Sequence, residues 1–168
     1  IFAEGEMNFE PNVRRGEWAW QPANRRYLEP KPPVTVLSPA RCPDCEAVYY
    51  EGRWRWGAVP FAAHEVRCPA CERQRRQLPA ATLVMEGASV ARHRDEFKRV
   101  ALQREEALQR DNPLQRLMDI EPTPGGMRLT TTEVQLARDI GETLRERYGG
   151  RLDAEYDKQG MLRMRWSR

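Results

Sequence analysis

Four cysteines are the residues of this chain whose types and spacing could do chemistry. They form two Cys-Pro-x-Cys knuckles, one at Cys42 and Cys45 and the other at Cys68 and Cys71. Two intervening residues let both sulfurs of a knuckle reach one ion, and two knuckles complete a tetrahedral four-sulfur site of the zinc type. Four thiolates leave no coordination position for water or substrate. The spacing therefore predicts one structural Zn²⁺ ion rather than a catalytic metal.

Two disulfides or a redox pair are the competing interpretations of these cysteines. Disulfides need an oxidising compartment, and the N-terminus shows no signal-peptide pattern, so we expect a cytosolic chain. A redox Cys-x-x-Cys normally opens a helix in a larger α/β fold and would not come in matched duplicate. We prefer zinc, with iron as the alternative in the same geometry. His64 lies four residues before Cys68, but with four cysteines available we expect a packing or surface role for it.

The segment between the knuckles, residues 49–57, carries candidate contacts to nucleic acid. Strand alternation would place Arg53 and Arg55 on one face and Trp54 and Trp56 on the other. In one interpretation the tryptophans form a small core over the metal and the arginines keep the outer face soluble. In the other, the arginines reach phosphates and an exposed aromatic ring stacks on an unpaired base. We predict core positions for the tryptophans and ligand contacts for the arginines, and keep all four as candidates.

A second cationic group, Arg73, Arg75 and Arg76, follows the second knuckle. A rigid metal site would hold these side chains at fixed spacing against a phosphate backbone. The alternative is a solvated charged turn. Residues 41–76 hold seven basic and five acidic side chains, whereas residues 111–168 hold ten of each, so the positive excess falls on the cysteine segment.

Other chemistry is sparse in the sequence. The chain has only two histidines, no serine associated with them and no glycine-rich phosphate loop, so we predict neither an enzyme nor a small-molecule substrate. No apolar stretch is long enough for a membrane span, which predicts a cytoplasmic protein without a membrane partner. The net charge of +3 is compatible with nucleic-acid binding but does not decide it.

The elements that position these residues are expected to form an α+β fold of two modest lobes, because 32% of the residues are charged. We divide the chain into an extended arm containing Pro, Arg and Trp over 1–41, a four-cysteine zinc ribbon over 42–77, a linker with an amphipathic helix over 78–116, and a small α+β domain over 117–168. The arm is either a disordered leader or a segment that becomes ordered along RNA or protein.

Local patterns within the last two parts predict individual elements. Residues 78–87 are expected to be a short apolar connection, and an amphipathic helix runs from Ser89, a candidate N-cap, to Arg110. The last domain is expected to have the order β-β-α-β-β, with one helix on the apolar face of a small sheet. Thr132 and Gln135 form a candidate capping box for that helix. The four strands are predicted over 118–120, 127–131, 152–156 and 162–166.

The order of these parts resembles a known family. A Cys-Pro-x-Cys ribbon, an Arg-rich exit, a helix and a β-α-β unit beginning at Met118 are similar to the N-terminal half of the archaeal and eukaryotic large-ribosomal-subunit export adaptor family. Small bacterial zinc-ribbon relatives from stress-associated loci, which pair one ribbon with one such lobe, are the closer resemblance, running from Cys42 to Trp166. Besides the knuckles, the segments that carry it are 50–56, 63–65 and 129–132.

The resemblance implies a factor that docks on the large ribosomal subunit near its tRNA-binding face. The adaptor family usually has two sets of zinc knuckles and later barrel-like domains, whereas in this sequence we find one set and expect no such domains. Only the four cysteines are therefore carried over, as metal ligands.

These observations predict a non-enzymatic zinc protein that binds ribosomal RNA on the ribosome or its large subunit, as a stress, hibernation or assembly factor. Ribosomal proteins are further candidate partners. Two alternatives stay open: a protein-protein adaptor that docks through the ribbon or the C-terminal sheet edge, and a DNA-binding regulator.

Overall fold

The computed structural model describes residues 36–59 and 62–168 of the chain. Of the predicted N-terminal arm over 1–41, residues 1–35 therefore lie outside the described residues. Two units are distinguished below: the ribbon, residues 40–76, which contains the cysteines, and the lobe, residues 80–168.

Four short strands and one helix make up the described part of the ribbon. They are β1 Ala40–Arg41, β2 Val48–Tyr50, β3 Arg53–Arg55, β4 His64–Glu65 and α1 Pro69–Arg76. The sheet order is β3-β2-β1-β4, in which only the β1/β4 pair is parallel. Glu51 and Gly52 both have positive φ, at 51° and 81°, which is the backbone that a tight two-residue hairpin between β2 and β3 requires.

Five strands and three helices make up the lobe. They are β5 Ala81–Glu86, α2 Ala88–Arg92, α3 Arg94–Gln109, β6 Leu117–Thr123, β7 Gly126–Thr131, α4 Val134–Tyr148, β8 Arg151–Tyr156 and β9 Leu162–Ser167. The sheet order is β6-β7-β5-β9-β8. β5 lies at the centre, antiparallel to β7 and parallel to β9, and the outer strands complete two antiparallel hairpins.

The core of the lobe lies between one face of this sheet and the helices. Alternate residues of β5 and β9 point into it, as a strand with one buried face requires. The helices contribute apolar residues at helical spacing. Among the largest side chains that are buried here are Leu83, Met85, Phe97, Leu129, Leu136, Ile140, Leu144, Leu162 and Trp166. Each fully buried side chain of this kind contributes about 1.5–3 kcal/mol, so hydrophobic burial is the main source of the lobe's stability.

The α+β class, with a four-cysteine ribbon and a small sheet lobe, is confirmed, but the prediction of a connection over 78–87 is wrong. This stretch carries β5, the central strand. A short apolar run bounded by Pro79 and Gly87 is also how a fully buried strand appears in a sequence, and only the pairing with β7 and β9 distinguishes the two. The helices over 88–109 pack into the same core as the elements over 117–168. The lobe therefore has five strands and three helices in place of the predicted β-β-α-β-β.

The two predicted helix N-caps are also wrong. The first helix begins at Ala88, ahead of Ser89, and it is interrupted at His93, whose φ and ψ are −124° and 42°. No side chain caps the first turn of α4. The Thr132 hydroxyl instead donates to Leu114 O at 2.6 Å, because the chain before β6 packs against it. Tertiary contact has replaced the local capping box.

The turns of the lobe lie where proline and glycine predict them. β6 and β7 are joined at residues 124–125, and β8 and β9 are joined over 157–161. α4 ends before Gly149, whose φ of 72° is left-handed and suits a residue without a side chain. The predicted strands are confirmed; β6 is four residues longer than expected, and β7 begins one residue earlier.

Candidate metal centre and adjoining surface

The first knuckle is a tight turn between β1 and β2. Cys42 N–H donates to Ala47 O at 2.8 Å, and Glu46 N–H donates to Cys42 O at 2.9 Å. Glu46 has a positive φ of 66°, which reverses the chain directly after Cys45. The turn brings the sulfurs of Cys42 and Cys45 toward the same point.

The second knuckle is the N-terminus of α1. Cys68 is the N-cap of this helix, Pro69 occupies the first turn, and the Cys68 sulfur accepts a hydrogen bond from Cys71 N–H at 3.4 Å. Cys68 N–H donates to the sulfur of Cys42 at 3.3 Å, which joins the two knuckles. Helical geometry thus places the sulfurs of Cys68 and Cys71 on the same side as those of the first knuckle.

The four Sγ atoms lie within 4.8 Å of one another, and those of Cys45 and Cys68 are 3.7 Å apart. Sulfurs bound to one zinc at 2.3 Å would lie roughly 3.8 Å apart in a tetrahedron. No disulfide joins them, and Cys42, Cys68 and Cys71 are buried. The predicted grouping of the four cysteines is confirmed, and this donor set can hold a metal ion. His64 is exposed on β4 and does not belong to the cluster.

The thiols of the cluster differ in acidity because their surroundings differ. Burial raises the pKa of Cys68, and it raises that of Cys71 to about 11 although Cys68 and Arg116 partly offset it. Burial also acts to raise the pKa of Cys45, but the Ala47 backbone N–H and the Arg116 guanidinium outweigh it and lower the pKa to about 7. Buried thiols of this kind need a nearby cation to exist as thiolates, and a bound metal ion supplies that charge.

Arg116 is a residue of this site that was not predicted from the sequence. It precedes β6 in the lobe, and its Nη1 lies 3.3 Å from the sulfur of Cys71, 45 residues away along the chain. Its Nη2 lies 4.0 Å from the sulfur of Cys68, and the residue is 9% exposed. No motif or spacing links an arginine at this distance to the knuckles. Only the packing of the lobe on the ribbon brings it there.

The two tryptophans of the ribbon occupy different environments. Trp54 is 9% exposed and packs against Tyr49, with 5.4 Å between the ring centroids, so its predicted core position is confirmed. Trp56 is 40% exposed, so its predicted core position is wrong. β3 ends at Arg55, and strand alternation therefore no longer controls the direction of Trp56. Its Nε1–H instead donates to Gln109 O at the end of α3, at 2.7 Å.

Arg53 and Arg55 lie on the hairpin beside Trp56. Arg53 is exposed and has no ion-pair partner within residues 36–59 and 62–168. Arg55 lies over the ring of Tyr50, with 4.7 Å from its Cζ to the ring centroid, and 3.5 Å from Glu51. A shallow cavity of about 280 Å³ opens here. Its lining residues are Val48, Tyr50, Arg55, Trp56, Gly57 and Ala58.

The arginines after the second knuckle belong to α1 rather than to a turn. Arg73 is 7% exposed and donates to Leu78 O at 3.2 Å. Its position in the last turn of the helix directs the side chain inward, so the prediction that it contacts a phosphate is corrected. Arg76 is exposed and pairs with Glu72 at 2.6 Å. Arg75 is exposed, and no carboxylate of the described part of the chain pairs with it.

Local ion pairs reduce the cationic character expected of the ribbon. Besides the pairs of Arg55 and Arg76, Arg41 pairs with Glu46, and Arg67 lies 2.6 Å from Asp44 and 3.4 Å from Glu72. Exposed pairs of this kind are worth about 0–1 kcal/mol and can exchange partners. Arg53 and Arg75 are the predicted contact arginines left without a carboxylate partner among the described residues.

The fold and the site together define a class: an α+β protein in which a ribbon with a four-cysteine cluster that can hold a metal ion is attached to a five-stranded lobe. Comparisons with known protein families, with curated proteins and with solved structures found no match to this chain. In the described ranges, no helix combines the length and the apolar character that crossing a membrane requires.

Proposed function

We propose that this chain is a non-enzymatic zinc protein that binds ribosomal RNA on the ribosome or its large subunit. Two parts of this proposal have different support. The identity of the metal is supported by four cysteine sulfurs within 4.8 Å of one another, a donor set that zinc occupies more often than iron does. The RNA partner is supported by one surface feature, the exposed Trp56 beside two arginines on the hairpin that the metal site holds in place.

Trp56 is suited to stack on an unpaired base. The hydrogen bond from its Nε1 to Gln109 O fixes the edge of the indole, while the residue remains 40% exposed. Stacking of a base on an aromatic side chain contributes about 1–3 kcal/mol and depends little on base identity. Tyr50 and Arg55 line the same cavity and would contact the neighbouring nucleotide. Unpaired bases of this kind occur in RNA loops rather than in duplexes.

Exposed arginines of the ribbon would bind the phosphates. Arg53 and Arg75 lack carboxylate partners in the described ranges, and Arg55 and Arg76 make only exposed ion pairs. Four phosphate contacts would make the affinity fall roughly 100-fold between 50 and 200 mM salt. A strong dependence on salt is therefore part of the proposal.

Co-sedimentation of the full chain with purified ribosomal subunits tests the proposal. We expect Trp56→Ala to weaken binding by about 5- to 150-fold through lost stacking. Trp56→Phe is the matched control, because phenylalanine keeps an aromatic face but loses the bond to Gln109. A protein that stays at the top of a low-salt gradient would overturn the ribosome proposal. Equal binding by Trp56→Ala and the wild type would overturn the role of this surface.

Charge reversal tests the phosphate contacts in the same assay. We expect Arg53→Glu and Arg75→Glu each to lower the slope of log affinity against log salt by about 1. Arg92→Glu and Arg99→Glu, at exposed positions of α2 and α3, are the charge-matched controls. Binding that does not respond to salt would favour a protein partner, and a preference for duplex DNA over ribosomal RNA would favour a DNA-binding regulator.

A further inference from the structure

We propose that Arg116 is a positioning residue of the metal centre, which compensates the charge of the four thiolates and couples metal binding in the ribbon to the packing of the lobe. The inference rests on the proposed metal site but not on the proposed RNA partner.

Hydrogen bonds within the lobe hold Arg116 in place. Its backbone N–H donates to Thr132 Oγ1 at 2.9 Å, and its carbonyl accepts from Thr132 N–H at 2.9 Å. Its Nε–H donates to Pro113 O at 2.8 Å. Thr132 is itself 1% exposed at the start of α4. The backbone and the inner part of the guanidinium are therefore fixed by the lobe, and only the outer nitrogens extend to the sulfurs of the ribbon.

Charge balance explains why an arginine lies at this position. Four thiolates around one Zn²⁺ carry two net negative charges, and burying such a charge is costly unless a cation compensates it. The Arg116 guanidinium is buried beside the sulfurs of Cys68 and Cys71, and it has no carboxylate partner in the described part of the chain. Each group therefore depends on the other: without a charged cluster, the guanidinium would be buried without a counter-charge.

Packing carries the effect from the metal centre into the lobe. Leu114, two residues before Arg116, packs against the small core of the ribbon. Leu117 follows Arg116, and its backbone N–H donates to the Glu105 carboxylate on α3 at 2.7 Å. A change in the position of Arg116 would thus act on α3 and on β6. Metal binding should stabilise this segment of the lobe as well as the ribbon, by linkage between ligand binding and folding.

Titration of the full chain with Co²⁺ and then with Zn²⁺, in competition with a chromophoric chelator, tests the inference. We expect Arg116→Met to lower the metal affinity by about 10- to 100-fold, the usual effect of removing a residue that supports metal ligands. Arg116→Lys should recover part of the loss, because lysine restores the charge but not the planar fork. Arg94→Met is the matched control, since Arg94 is a half-buried arginine of the lobe that donates to Gly126 O and Thr123 O.

Hydrogen exchange of residues 114–117 supplies a second readout. In the wild type, metal should slow the exchange of these amides, and in Arg116→Lys that protection should be smaller. If folded Arg116→Met binds metal as tightly as the wild type, or if metal leaves the exchange of residues 114–117 unchanged in the wild type, the inference is overturned while the metal site stands. A wild-type chain without the absorption of a four-sulfur Co²⁺ site would overturn both.

Discussion

The ribbon and the lobe are stabilised by different means. In the described part of the ribbon, the core has six buried residues, of which three are cysteines, and the strands are two or three residues long. The lobe core has seventeen buried apolar residues between a five-stranded sheet and its helices. A region as small as the ribbon cannot bury enough apolar surface to offset the entropy of ordering its chain. A metal ion at the four sulfurs would do in the ribbon what hydrophobic burial does in the lobe.

The same difference explains where each region can present functional groups. A metal ion at the four sulfurs would fix short strands, and Arg53 and Trp56 are exposed on the hairpin that they form. The lobe uses its apolar residues for its own core. It contacts the ribbon through Gln109 O, which accepts a hydrogen bond from the Trp56 indole, and through Arg116, which lies beside the cysteine sulfurs. The ribbon is the recognition surface in this proposal, and the lobe is its support.

The largest predicted effect follows from removal of the metal. This experiment tests most directly whether the ribbon and the lobe are stabilised by different means. A structural zinc site contributes on the order of 10 kcal/mol of folding free energy, more than this ribbon core could replace. We expect native mass spectrometry to find one zinc per chain. Chelation, or Cys42→Ser, should abolish the hydrogen-exchange protection of residues 40–76 while the amides of β5 stay protected. Equal loss of protection in both regions would show that the lobe also depends on the metal for its core.

A cavity in the lobe is the next largest predicted effect. Leu83 is fully buried on the central strand, so Leu83→Ala should lower the free energy of unfolding by about 2–5 kcal/mol. Urea unfolding followed by far-ultraviolet circular dichroism measures the change. Leu102→Ala, at a leucine that is 44% exposed, is the control and should alter stability by less than about 0.5 kcal/mol. A similar loss in both variants would contradict the assigned core.

The smallest predicted effect is a loss of stability at Asp157, in the hairpin between β8 and β9. This loss depends on pH. Burial acts to raise the pKa of Asp157, but hydrogen bonds from Met161 and Gln159 N–H and from Arg163 outweigh it and lower the pKa below 3.8. The carboxylate therefore stabilises the fold above that pH, and the contribution is lost as the pH falls through the folded-state pKa. Asp157→Ala should cost about 1 kcal/mol near neutral pH.

Unfolding curves measured between neutral and acidic pH check this last prediction. The difference between Asp157→Ala and the wild type should shrink as the pH falls, because the wild type loses the charged carboxylate. Lys158→Ala, in the same turn, should show no such convergence. A constant difference at all pH values would contradict the assigned role of the carboxylate.

Features that depend on neighbouring residues were predictable from the sequence. The cysteine cluster follows from ligand type and from a spacing that lets two sulfurs meet within one turn, so Cys42 and Cys71 could be assigned to one site. The hairpin at residues 157–160 follows from turn chemistry, and α4 follows from its apolar periodicity and the glycine after it. In each case the free energy that selects the structure is local, and the sequence alone determines it.

Features that depend on distant partners were decided by the tertiary structure. β5 became a central strand because β7 and β9 pair with it, and Thr132 bonds to Leu114 rather than capping α4. Arg73 turned inward, Trp56 remained at the surface, and Arg116 reached the sulfurs from 45 residues away. These outcomes depend on which distant parts of the chain meet in the fold, within the lobe for β5 and Thr132 and between lobe and ribbon for Trp56 and Arg116. The free energy of contacts between distant residues cannot be read from a short stretch of sequence. Only the assembled fold could therefore determine these features.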